Sequence, residues 1–293
     1  MGEPVAVGLV GAGPWAGMVH APALAAGPET RLAGVWARRP EASAELAAAH
    51  GVPSFTRLEE LFDSCQAVAF SVPPDVQADL AVRAARAGKA VLLEKPLAMD
   101  LDGARRLADA IGEAAVASQM VFTLRYSDAA RAFLERVRRL EVFGGHGSFV
   151  SSVLSGGPFA TPWRLERGAL LDLGPHIVDL LDASLGRIVE VRAHGDPMRW
   201  VGLMLQHEGG AVSEASVSMA GTGELPPARI EVYGRQGHAL LDWSAVGAEA
   251  FATMVAEFAS TVRNGGGHPL DAQHGLHIQQ VLASAEAQLP DGR

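Results

Sequence analysis

The chain has 293 residues, 48% hydrophobic and 19% charged, so it can bury one large core or two modest ones and is not disordered in bulk. A net charge of −9 with no extended basic block argues against a nucleic-acid partner, whose phosphates need a cationic surface. A single cysteine, Cys65, excludes an intramolecular disulfide framework and a cysteine zinc site; with no apolar run long enough to span a bilayer and no leader-like N-terminus, the expectation is a cytoplasmic protein without a membrane partner.

Taken in order, residues 5–10 are an apolar run that predicts a buried strand. A glycine turn follows, then a small-residue helix over 15–26. Further strands are expected at 32–36, 67–71, 91–93 and 116–123, separated by helices at 41–50, 58–62, 76–87 and 101–112. Thr56 and Glu59 have capping-box spacing before the short helix at 58–62. Apolar strands alternating with helices predict βαβ units and a parallel sheet covered on both faces. From about residue 126 the rhythm changes. A helix is expected at 128–139, with Ala130, Phe133 and Val137 on one face. Strands follow at 147–154, 189–193, 200–206, 211–219, 230–233 and 238–243, with hairpin signals at "HEGG" and "GRQG". Helices at 251–263 and 275–287 close the chain. The reading is an α/β domain over 1–125 and an α+β domain with a mostly antiparallel sheet over 126–293.

Gly11-Ala12-Gly13-Pro14-Trp15-Ala16 stands at the first strand-to-helix turn. This is the context in which G-x-G-x-x-G/A binds a dinucleotide: the first glycine makes the turn, the second admits the pyrophosphate, and Ala16 keeps helix and sheet close. At the end of the second strand, where an NAD site usually carries a carboxylate, stands Ala37, followed by Arg38 and Arg39. No carboxylate is there to repel a 2′-phosphate, and an arginine can bind one. The expected cofactor is NADP, or NAD if both arginines merely decorate the strand end.

Two further stretches invite a chemical explanation. The run "AVLLEKP" at 90–96 ends an apolar strand in Glu94, Lys95 and Pro96, in a chain with only two lysines, Lys89 and Lys95. The segment "GALLDLGPHIVDLLD" at 168–182 places Asp172, His176 and Asp179 at i, i+4, i+7, one face of a helix. Pro175 fits best in a first turn, which makes Asp172 the expected cap. The bland reading is a cap aspartate beside a core histidine held by Asp179. The chemical reading is that hydride exchange with a nicotinamide needs a group to move the matching proton, and a histidine titrates near neutrality. No metal-ligand cluster is visible; His274 and His277 read as helix surface.

Together, "GAGPWA", "SVPP" at 71–74, "EKP" and "LLDLGPHIVDLL" resemble the Gfo/Idh/MocA family, which includes glucose–fructose oxidoreductase and inositol dehydrogenases. The resemblance covers essentially the whole chain. It implies an N-terminal Rossmann domain, a C-terminal domain whose open sheet often forms a homo-oligomer (dimer or tetramer), and a polyhydroxylated small-molecule substrate. It implies catalytic roles for Lys95, Asp172 and His176. It places Ser71, Pro73 and Glu94 beside the cofactor, and Arg125, Trp163 and Arg164 in the substrate pocket with Lys95, Asp172 and His176. Gln77 departs from the family, many of whose members carry a histidine nearby. The expected activity is hydride transfer between nicotinamide and a sugar-like, cyclitol or related hydroxyl or carbonyl group. Two alternatives on the same fold are a non-catalytic NAD(P)-binding regulator and an enzyme of different chemistry.

Overall fold

The computed structural model describes residues 2–290. The chain forms two compact units: residues 2–121 with 251–276, and residues 122–250 with 277–290.

In the first unit, β1 (Val5–Val10), β2 (Thr30–Trp36), β3 (Ala67–Phe70), β4 (Ala90–Leu93) and β5 (Ser118–Met120) form one parallel sheet in the order β2-β1-β3-β4-β5. β1, β3 and β4 are buried along their whole length, as central strands covered on both faces must be. The connections run through α1 (Ala21–Ala25), α2 (Pro40–Ala49), α3 (Leu58–Asp63), α4 (Pro74–Arg86) and α5 (Leu101–Ala114). Asp100 caps α5 by accepting the Gly103 N–H at 2.7 Å. Thr56 does not cap α3: its N-cap is Arg57, in extended conformation and with no side-chain cap bond. The topological switch lies between β1 and β3, where an open α/β sheet binds ligands at its carboxyl edge.

The second unit begins with α6 (Asp128–Val137), which buries Ala130, Phe133, Leu134 and Val137. α7 (Pro162–Asp172), which the apolar pattern did not predict, and α8 (Gly174–Leu185) follow β6 (Val142–Val150). Then come β7 (Ile188–Asp196), β8 (Trp200–His207), β9 (Val212–Ser218), β10 (Arg229–Gly234) and β11 (Gly237–Asp242). Their order is β11-β10-β6-β9-β8-β7, antiparallel except for β6 beside β9. α8 lies on β6 because β6 has glycines there: a Cβ on Gly147 would stand 3.1 Å from Ile177. The other sheet face is open and carries Trp200, Met204, Val212, Tyr233 and Leu240, all exposed.

The last helices, α9 (Glu249–Asn264) and α10 (Ala272–Glu286), complicate a single cut near residue 125. Residues 251–276 belong to the first unit, where they cover its edge strand. Leu270 O accepts the Met120 N–H at 2.7 Å, Met254 O accepts from Gln119 Nε2 at 2.9 Å, and the Ala272 N–H donates to Ser118 Oγ at 3.1 Å. An uncovered β5 would present unpaired backbone groups. β5 itself is shorter than the apolar run at 116–123 implied; after Phe122 the chain turns into a 3-10 segment, Thr123–Tyr126. Among the described residues, no helix is long and apolar enough to cross a membrane.

Candidate active site

The first group of candidate residues lies at the carboxyl edge of the parallel sheet. Gly11 leaves β1 at φ +121°, donating its N–H to Trp36 O at 2.8 Å. A Cβ here would fall 2.1 Å from Ser71 O, so only glycine fits the crossing between β1 and β3. Gly13 differs: a Cβ built on it meets nothing within 4 Å. That open space beside backbone at the switch point is what a dinucleotide pyrophosphate requires, so the turn fits the group. Pro14 is exposed and Ala16 fully buried. Ala37 follows β2, and Arg38 and Arg39 are exposed with guanidinium groups unpaired among the described residues. Ser71 and half-buried Pro73 lead from β3 into α4, with Pro73 as its N-cap.

Glu94, Lys95 and Pro96 follow β4, with a cis Lys95–Pro96 bond. Gln77 on α4, fully buried, braces this turn. Its Nε2 donates to the carbonyls of Glu94 (2.7 Å), Leu97 (3.1 Å) and Pro96 (3.3 Å), and its Oε1 accepts the Glu94 N–H at 2.9 Å. The family departure at residue 77 is thus filled by a side chain that satisfies four backbone groups. Glu94 Oε1 accepts the Trp15 indole N–H at 2.7 Å and lies 2.7 Å from His20 Nε2. Glu94 Oε2 accepts the backbone N–H of Lys95 at 3.2 Å. The other lysine, Lys89, supports the fold, with its Nζ donating to Cys65 O at 3.0 Å.

The second group belongs to the other unit. Asp172 is the last residue of α7, and Leu173 is the N-cap of α8, so Asp172 does not cap that helix. Its buried carboxylate accepts from Arg164 Nε at 2.8 Å. Arg164 also lies over the ring of Trp163, with Cζ 4.7 Å from the centroid. α7 turns sharply at Gly168, φ +68°, where a Cβ would meet Pro197 O at 2.2 Å. His176 is half-buried in a run, Leu171 to Leu181, whose other members are buried. Its ring lies 6.3 Å from those of both Phe149 and Trp243, which are 4.7 Å from each other.

The Asp179 carboxylate, 1% exposed, pairs with Arg125 Nη1 at 2.8 Å. Removing one partner of a buried pair strands the other charge, at a cost of about 3–5 kcal/mol. Arg125→Ala is therefore expected to lower the unfolding free energy by about 3 kcal/mol, measured by denaturant titration. An unchanged midpoint with a raised substrate KM would instead assign Arg125 to substrate. His277 is not helix surface: it is buried, and its Nε2 lies 2.7 Å from Asp182 Oδ1. Residues unmarked by the sequence reasoning are His20, Phe149 and Trp243. For His20 the signal was a lone imidazole in the small-residue helix after the glycine turn.

A parallel sheet with a glycine crossing at its switch point, joined to an α+β unit carrying D-x-x-x-H, defines a dinucleotide-binding oxidoreductase. Comparison with known proteins agrees. The family model described as an oxidoreductase family with an NAD-binding Rossmann fold matches residues 5–122, and the Gfo/Idh/MocA C-terminal domain matches residues 142–240. The chain belongs to the Gfo/Idh/MocA family of oxidoreductases. It is 30% identical over 251 residues to inositol 2-dehydrogenase of Rhizobium meliloti (strain 1021), covering 80% of this chain and 74% of that one. Among solved structures, GenD2 from gentamicin A biosynthesis, in complex with NAD, superposes with a TM-score of 0.85 at 25% identity, covering 100% of this chain and 96% of that one. Levoglucosan dehydrogenase, in complex with NADH and levoglucosan, shares the fold with a TM-score of 0.88 at 19% identity, covering 98% and 97%.

Proposed function

We propose that the protein interconverts a secondary alcohol and its carbonyl on a sugar-like or cyclitol substrate, with NADP preferred over NAD. The observation that carries this reading is the turn after β4: an alkyl ammonium set by a fully buried brace at the carboxyl edge of a dinucleotide-binding sheet. A bound nicotinamide supplies the hydride acceptor or donor. Lys95 holds and polarises the reacting oxygen as a short-range cation. His176 takes the hydroxyl proton in oxidation and returns it in reduction, work for which an imidazole is the side chain most often used. Asp172 sets the local charge and keeps Arg164 in place, together with Phe159 O and Thr161 Oγ1, which accept from its Nη1 at 3.3 and 3.4 Å; Arg164 presents its Nη2 to substrate oxygens. Phe149 and Trp243 offer apolar faces beside His176 for the C–H surface of a ring. The sugar and cyclitol names of the relatives support this substrate class. The open sheet face with Trp200, Met204 and Leu240 supports a homo-oligomer.

Preference for NADP rests on Ala37 and the two unpaired arginines after β2. A charge-assisted pair with a phosphate contributes about 1.5–3 kcal/mol. Arg38→Ala is therefore expected to lower kcat/KM for NADP by about 10- to 100-fold and leave kcat/KM for NAD unchanged. Equal losses with both cofactors would remove the preference. The activity itself is tested by turnover of inositols, anhydro sugars and aldoses with each cofactor.

A further inference from the structure

The helix after the glycine turn is not a regular α-helix. The Gly17 N–H bonds to Gly13 O, four residues back, at 3.1 Å. Over Ala16–His20 the pattern lengthens by one residue, and the Ala21 N–H bonds to Ala16 O, five back. Such a π turn holds one extra residue. In a continuous α-helix, positions five apart diverge by about 140° around the axis. An i→i+5 turn brings them over one another. Trp15 and His20 are five apart, and both meet the same atom, Glu94 Oε1, at 2.7 Å.

His20 is fully buried and its Nδ1 has no hydrogen-bond partner. The Nε2 of His20 faces a carboxylate oxygen, which accepts, so it donates to Glu94 Oε1. One carboxylate oxygen takes two donors from the helix, and the other takes the Lys95 N–H. The Trp15 ring is backed edge-on by Phe251 of the same unit, at a centroid distance of 6.0 Å.

We propose that the π turn is a positioning device: it aims Trp15 and His20 at one oxygen of Glu94, and through Glu94 they fix the bearing of Lys95. Trp15 and His20 are positioning residues; neither transfers a proton. The proposal rests on the reading of Lys95 given above, and its test separates the two. Inserting an alanine after Gly17 sets Trp15 and His20 six residues apart, a spacing that neither an α turn nor a π turn closes onto one face.

In the cofactor-free protein, the Trp15 indole N–H, identified by its loss in Trp15→Phe, is expected far downfield and slow to exchange. In the insertion variant it moves to the position of a free indole and exchanges with solvent. Kinetically, the insertion and Trp15→Phe lower kcat at saturating NADPH by about 10- to 100-fold, the scale of a small misplacement of a reacting group. His20→Gln, which keeps a donor at the Nε2 position, retains most of kcat, whereas His20→Leu does not.

An unmoved indole signal in the insertion variant would show that the register of this turn does not aim Trp15. Equal kcat in the Gln and Leu variants would reduce His20 to packing, and this comparison holds even where the insertion variant fails to fold. Either result overturns the proposal. Wild-type turnover by Lys95→Ala would overturn the Lys95 reading instead, with the indole signal still in place.

Discussion

Lys95→Ala and His176→Ala are each expected to lower kcat by about 10²- to 10⁴-fold, the range a positioned acid–base group contributes. Lys95 sits on a turn whose backbone is held by Gln77 and Glu94, so removing its side chain leaves the turn intact. NADPH affinity in Lys95→Ala is expected within a few-fold of wild type. His176 is the half-buried position in a run of α8 that is otherwise buried, so truncating it costs little core. The check is steady-state kinetics with cofactor binding measured in parallel. Near wild-type turnover in either variant would sink the assigned roles, and full binding with no turnover of any polyol in the wild type would favour a non-catalytic regulator.

Gly11→Ala is expected to abolish measurable cofactor binding and to destabilise the free protein. At φ +121°, alanine is strained by about 1–3 kcal/mol, and its Cβ would lie 2.1 Å from Ser71 O. Relief requires the crossing between β1 and β3 to open, which displaces the turn on which the pyrophosphate rests. Gly13→Ala separates the two effects. Its Cβ meets no protein atom within 4 Å, so the melting temperature is expected to stay at the wild-type value while NADPH binding weakens. A Gly13→Ala protein that binds NADPH normally would place the dinucleotide elsewhere.

Local signals made much of this molecule legible in its sequence. The run 5–10 is β1 residue for residue, because a fully buried strand leaves no polar position to blur its ends. The "HEGG" and "GRQG" turns join antiparallel neighbours, β8 to β9 and β10 to β11, since hairpin turns are read from adjacent residues. α7 was missed because Gly168 kinks it and its first turns mix the charged Arg164, Glu166 and Arg167 with Trp163 and Leu165. Asp172 looked like a cap because Pro175 marks a helix start, yet the preceding helix runs up to Asp172 itself.

The site was legible in its residue types and not in its partners. Nothing in local spacing says that Arg164 takes Asp172, or that Arg125 takes Asp179, 54 residues away. Gln77 was noticed as a departure, but its bonds to the turn after β4 depend on α4 and β4 lying side by side. The π turn escaped because G-x-G-x-x-A ends at Ala16, and the extra residue becomes visible only where Ala21 bonds to Ala16.

The central claim is hydride transfer between a substrate carbinol carbon and the nicotinamide of a cofactor on the first unit. The most direct measurement follows a label: a cyclitol or sugar panel deuterated at the carbinol carbons, incubated with NADP, with the reduced cofactor examined by mass spectrometry. The account predicts deuterium on the nicotinamide ring with the wild-type protein and a loss of about 10²-fold or more in its rate of appearance with His176→Ala. Saturable NADP binding without any label transfer from the panel would contradict it.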